Sequence, residues 1–254
     1  MKIGRVLAGI GVLLFAALPA FAQQTPGNLA SIEFQTPKNG MVKQYEAGRK
    51  AKVEWHKQQN DSQPLLVWET LTGDDTGTYL VERVGQHWAD LDKPSVPDAA
   101  DLEEFNKEIS SYVGKLVTRY YEFMPKVSNP EQMGMPPKYL EVIIFNVRAG
   151  HDADFRSAIA RIHEGGEKTK WPSHYAWYTL VNGGVDGEYV LTFAHPNWAD
   201  FEDKPDVKSY RDMIKDAFGQ SEADSIMRRL DSSIEKETST IIQFRPDLSY
   251  MPAK

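Results

Sequence analysis

Glu69 and Glu82 stand inside two stretches otherwise rich in aromatic and β-branched residues, LVWETL and TYLVERV, with Arg83 directly after the second carboxylate. A carboxylate turned into an apolar interior has its charged form disfavoured, so its pKa rises towards neutrality and it suits proton transfer. Tyr178, on a similar stretch (AWYTLVN), could face such a group. His195 ends a third (EYVLTFAH), where it could reach the mouth of a cavity. Glu69, Tyr178, Arg83 and His195 are therefore the candidate catalytic set. The competing reading is a cross-strand ion pair on a solvated or helix-covered edge.

The other histidines, His56, His87, His151, His163 and His174, show no H-x-H, H-x-x-x-H or H-E-x-x-H spacing. No local metal motif is present, and no cofactor is expected, although ligands distant in sequence leave metal or haem open. The chain lacks a G-x-S-x-G elbow, a P-loop and a dinucleotide-binding glycine fingerprint. It also contains no cysteine, which removes thiolate chemistry. Aromatics are numerous, with 11 Tyr, 11 Phe and 6 Trp. Trp68, Trp177, Trp88, Trp198 and Tyr189 are the candidate ligand-binding residues, suited to a flat or apolar molecule.

The elements that must position these residues come in duplicate. LVWETLTGDDTGTYLVERVGQHWADLDKP, from Leu66, returns as YAWYTLVNGGVDGEYVLTFAHPNWADFEDKP from Tyr175, and YEFMPKVS returns as IQFRPDLS. A repeat of about 110–120 residues is domain-sized. In this alignment Trp68 matches Trp177, Glu69 falls opposite Tyr178, and Glu82 and Arg83 fall opposite Thr192 and Phe193. Trp88-Ala89-Asp90 and Trp198-Ala199-Asp200 occur in both copies. That duplication favours a structural role, with Trp capping the open sheet end and Asp acting as N-cap of a short helix.

Strands are predicted at Leu29–Gln35, Leu65–Leu71, Thr78–Val84 and Val117–Phe123, with helices over Met41–Lys57 and Ala100–Leu116. The second copy repeats them at Tyr139–Val147, Tyr175–Val181, Gly187–Ala194 and Thr238–Phe244. Its helices cover Asp152–Lys168 and about Asp206–Glu235, the latter breaking near Gly219. Gly165-Gly166 reads as a helix stop and Gly183-Gly184 as a turn. The second copy is about ten residues longer, most easily at Lys208–Ala217. The organisation expected is a signal peptide at 1–22, a first repeat at 23–128, a linker at 129–137 and a second repeat at 138–254.

Each β-α-β-β-α-β copy makes a four-stranded antiparallel sheet with helices on one face, and its other, apolar face must be buried. The expected fold is α+β: two tandem ferredoxin-like βαββαβ units packed sheet to sheet as one intramolecular barrel. Element order and the pattern Trp68, Thr70, Gly77, Tyr79, Trp88, Asp90, repeated at Trp177, Thr179, Gly187, Tyr189, Trp198, Asp200, resemble the dimeric α+β barrel superfamily. That group includes antibiotic-biosynthesis-type monooxygenases, NIPSNAP proteins and chlorite-dismutase-like haem proteins. The resemblance implies a small-molecule site between the sheets. In its haem-binding members it implies an axial histidine, to which no residue here can be matched.

Lys2 and Arg5, the 13-residue apolar run Val6–Leu18 and Ala20-Phe21-Ala22 form a secretory leader pattern. The run is short for a bilayer span of about 20 residues. Export to the periplasm is the expectation, with no membrane contact after cleavage. The net charge of −7, which becomes −9 without Lys2 and Arg5, argues against nucleic acid. Three functions fit: binding a small apolar or aromatic molecule between the sheets; a cofactor-independent monooxygenase, isomerase or lyase with a barrel carboxylate; or a packed barrel for protein contact. Monomer and homodimer are both compatible with the sequence.

Overall fold

The computed structural model describes residues 26–131, 135–202 and 204–252. The leader-like segment and Gln132–Gly134 of the linker lie outside the described residues. Strands β1 (Leu29–Pro37), β2 (Leu66–Thr70), β3 (Tyr79–Gln86) and β4 (Val113–Phe123) accompany helices α1 (Val42–Gln58) and α2 (Asp98–Glu108). The second half repeats them as β5 (Tyr139–Val147), α3 (Asp152–Thr169), β6 (Ala176–Asn182), β7 (Glu188–His195), α4 (Tyr210–Phe218), α5 (Gln220–Ser233) and β8 (Ile234–Phe244).

The eight strands close one antiparallel barrel in the order β1-β3-β2-β8-β5-β7-β6-β4. The two sheets meet at β2–β8, where Trp68 pairs with Phe244, and at β4–β6, where Phe123 pairs with Tyr178. Alternation along each strand sends one set of side chains into the lumen and the other under the helices. Tyr45, Val67, Tyr79 and Val81 form the outer core of the first half. Phe155, Trp177, Tyr189, Met213 and Ile226 form that of the second. Trp68, Val142, Ile242 and Phe244 line the lumen, with Leu80, Ile144 and Val190 against them.

The duplicated tails lock the halves to each other. Val127 enters the second half's core, and Leu248 and Tyr250 enter the first half's. Ser128 Oγ donates to Met124 O and accepts the Trp177 N–H at 2.8 Å; Ser249 Oγ donates to Arg245 O and accepts the Val67 N–H at 2.9 Å. The repeat YEFMPKVS/IQFRPDLS is thus a reciprocal plug.

Several expectations need correction. Val67, not Trp68, is the structural counterpart of Trp177, since Trp68 pairs with Leu80 and Tyr178 with Val190. The sequence alignment had slipped by one residue, which in a strand exchanges the two faces. Gly165-Gly166 does not stop α3, which runs on to Thr169. Gly165 instead lets α4 approach: a Cβ there would lie 3.1 Å from Met213 Sδ and from Phe218 Cε2. The second helix of the first half ends at Glu108, and β4 starts at Val113 rather than Val117, because Val113–Leu116 continue the ladder with β1. Helix α4 overlaps the expected insertion, and α4 and α5 meet at Gly219, where the break was expected.

Candidate active site in the barrel lumen

The lumen-facing carboxylate is Glu82. Leu80 and Glu82 share the inner face of β3, whereas Val81 and Arg83 share the outer one. Glu82 Oε1 accepts a 2.7 Å hydrogen bond from Trp68 Nε1, the lumenal indole on the neighbouring strand. Burial pushes the Glu82 carboxyl up to about 7, opposed only by that indole donor. No cation holds it ionised. At its pseudo-symmetric position on β7 stands Thr192, so the lumen carries this acid on one side only.

Tyr178 projects into the same space from β6. Burial, and then the Glu82 charge, push its phenol up to about 12, so the hydroxyl stays protonated and can donate. The rings around the pair repeat across the pseudo-two-fold: Phe123 lies 5.5 Å from Tyr178, and Phe244 lies 5.1 Å from Trp68. Mid-strand lumenal residues Leu66, Leu80, Ile144, Tyr178 and Val190 are only half-buried, as is Glu82. The lumenal side chains therefore do not fill the barrel solidly.

A second lumenal acid, Glu188, is treated oppositely. Arg119 Nη1 approaches it at 3.1 Å and the Tyr121 hydroxyl donates to it at 2.7 Å. Charge pairing makes it a fixed structural group, whereas Glu82 has a neutral indole and an open lumen. Sequence reading had paired Glu82 with Glu69 as alternatives without choosing Glu82; lumenal register was the missing signal.

The remaining sequence candidates separate. Glu69 faces outward and accepts from Arg245 Nη1 at 2.7 Å, as Glu46 does at 2.6 Å. Arg83 also faces outward, donating to Asp61 Oδ2 at 2.9 Å. These are the helix-covered ion pairs weighed against the catalytic reading. Trp177 and Tyr189 pack on Phe155 beneath α3, not in the lumen. His195 ends β7 with Nδ1 2.9 Å from Asp200 and its ring stacked 3.8 Å from Phe201. Trp88 and Trp198 are half exposed, at 49% and 51%, each resting on one tyrosine, Tyr120 or Tyr139. Asp90 is not the N-cap but reaches back from the third position of its short 3-10 helix to the His87 N–H.

The donor set does not fit a histidine-ligated haem in the lumen. His163 and His195 carry hydrogen bonds outside the barrel wall, buried His56 is bound to Asp61 beneath α1, and the others lie off the lumenal strand positions. Among the described residues no group of three His, Asp or Glu could hold a metal ion.

Comparison with protein-family models and with curated proteins gives no match. Solved structures do match. A monooxygenase-like protein from Lactobacillus acidophilus NCFM shares 9% identity at a TM-score of 0.53, over 91% of this chain and 98% of that one. A monooxygenase-like protein from Fusobacterium nucleatum shares 12% at 0.53, over 87% and 94%. An anthrone oxidase-like protein shares 11% at 0.50, over 88% and 92%. At these identities the likeness shows the fold, a ferredoxin-like α+β barrel.

Proposed function

We propose that this is an exported, cofactor-independent enzyme that takes a small aromatic carbon acid into the barrel and uses Glu82 as its proton-transfer base. One observation carries the reading: unlike Glu188, the Glu82 carboxylate meets no cation, only the Trp68 indole N–H, and burial in an aromatic lumen pushes it up to about 7. A general base works best with a pKa near the operating pH. Glu82 accepts the proton, its O–H bond forming as the substrate C–H bond breaks. The electron pair moves into the substrate as an enolate, whose oxygen the Tyr178 hydroxyl is placed to stabilise by donation. Trp68, bonded to the carboxylate, holds its orientation. Return of the proton at another carbon gives isomerisation. Capture of the enolate by dioxygen gives net oxygenation of CH2 to C=O with release of one water. Neighbours described as monooxygenase-like and anthrone oxidase-like make the second outcome worth measuring.

The test is hydrogen–deuterium exchange at the acidic carbon of anthrone and related aryl ketones in D2O, followed by NMR with oxygen uptake in parallel. The wild-type protein should accelerate exchange, and Glu82→Gln should lose at least a hundredfold of that rate. Exchange equal to buffer, or retained in Glu82→Gln, would overturn the enzyme reading. Binding that persists in both proteins without exchange would return the barrel to a ligand-holding role.

A further inference from the structure

The first half holds a second cavity, about 460 Å³, between the outer face of its sheet and helices α1 and α2. Its origin is the difference between the copies. In the second half α3 packs against both α4 and α5, which fill the equivalent space with Met213, Ile214 and Ile226. The first half has α2 alone, and none of its residues is buried.

Instead of an apolar filling, the cavity has Arg49. This residue is 2% exposed, yet its Nε and Nη2 have no hydrogen-bond partner. Its counterpart one repeat later in α3 is Ile159, a core residue at 2% exposure. Lys52 is buried beside it where the second half has Ile162. Two cations thus replace two isoleucines beneath a helix. Leaving a buried guanidinium without a counter-charge is strongly destabilising, so an isoleucine-like residue would have been the stable choice.

The carboxylates around the cavity do not meet Arg49. Asp101 is held by Lys52 at 3.1 Å, and Glu33 accepts from Gln35 Nε2 at 2.6 Å. Asp90 caps His87, and Asp98 occupies the first turn of α2, where the helix dipole stabilises it. Leu65, Val96, Leu102 and Phe105 supply apolar wall.

We infer that this cavity is a binding site for a small organic acid, its carboxylate bonded to the Arg49 guanidinium and its apolar body against Val96, Leu102 and Phe105. A guanidinium and a carboxylate form strong, charge-assisted hydrogen bonds, and the cavity volume suits a ligand of one or two rings. The site lies on the far side of the sheet from Glu82 and does not depend on the reaction proposed there.

Calorimetric titration of the full mature chain with benzoate, neutral benzamide and inorganic phosphate tests it. Benzoate should bind one per chain, at least tenfold tighter than either control. Arg49→Gln should weaken benzoate at least tenfold, and Glu82→Gln should leave it unchanged. Leu102 is 57% exposed, so Leu102→Ala should fold and weaken benzoate severalfold even if the Arg49 variant does not. Equal binding of benzamide, equal binding of phosphate, unchanged affinity in Leu102→Ala, or loss in Glu82→Gln would each overturn the assignment.

Discussion

Two glutamates in the same barrel illustrate how environment rather than residue type decides chemistry. Glu188 has a guanidinium and a phenol; Glu82 has one indole N–H and an apolar lumen. Because the indole donates to the charged form, Trp68→Phe should raise the Glu82 midpoint above about 7 and shift any pH–rate profile the same way, seen by infrared titration of the carboxyl band. The elevated value also fixes the sign of a stability effect. In the folded state Glu82 holds its proton up to about pH 7, against an ordinary value of 4.5, so its contribution is fully present below 4.5 and is lost as pH rises through 7. At pH 8 the ionised carboxylate is therefore a burden. Glu82→Gln should stabilise the fold there by about 1–3 kcal/mol, and not at pH 4, by chemical denaturation.

At the scale of elements, strand pattern and helix spacing located most of the barrel, because period-2 and period-3.6 patterns follow directly from which faces must be buried. Which face each strand turned inward was less legible. Matching Trp68 to Trp177 is one residue out of register, and it sets Glu69 rather than Trp68 opposite Tyr178. Pairing of Trp68 with Leu80 and of Tyr178 with Val190 resolves it. The glycine pair in α3 was misread for a related reason, since close helix approach and chain termination both ask for glycine. The Trp-Ala-Asp motif was expected to place Asp as an N-cap, but Asp90 stands at the third helical position and Trp88 and Trp198 are half exposed. Trp198 touches Tyr139 and Phe201 yet is 51% exposed, so Trp198→Ala should cost about 1 kcal/mol rather than the several expected of a core ring. Ser249→Ala should cost more, about 1–3 kcal/mol, because the buried Val67 N–H loses its acceptor. Thermal denaturation of the two variants side by side should rank them in that order.

For the whole molecule, duplication gives both closure and asymmetry. The β2–β8 and β4–β6 seams complete the barrel within one chain, and each half's tail completes the other half's core. A half expressed alone, 23–128 or 138–254, would expose its lumenal face and lack its partner's plug. Each should aggregate or self-associate, while the two co-expressed should assemble one to one by size-exclusion chromatography. With the scaffold shared, both proposed sites lie where the copies differ: Glu82 against Thr192 in the lumen, Arg49 against Ile159 beneath the helices. The sequence displays both differences, but only the register and the missing fourth-helix counterpart in the first half show that one faces a lumen and the other a cavity. The most direct test of the central claim is a carbon-13 NMR titration of the glutamate side-chain carboxyls, with Glu82 assigned by its loss in Glu82→Gln. A midpoint near 7 is predicted; a midpoint near 4.5 would show a solvated carboxylate and contradict a lumenal base.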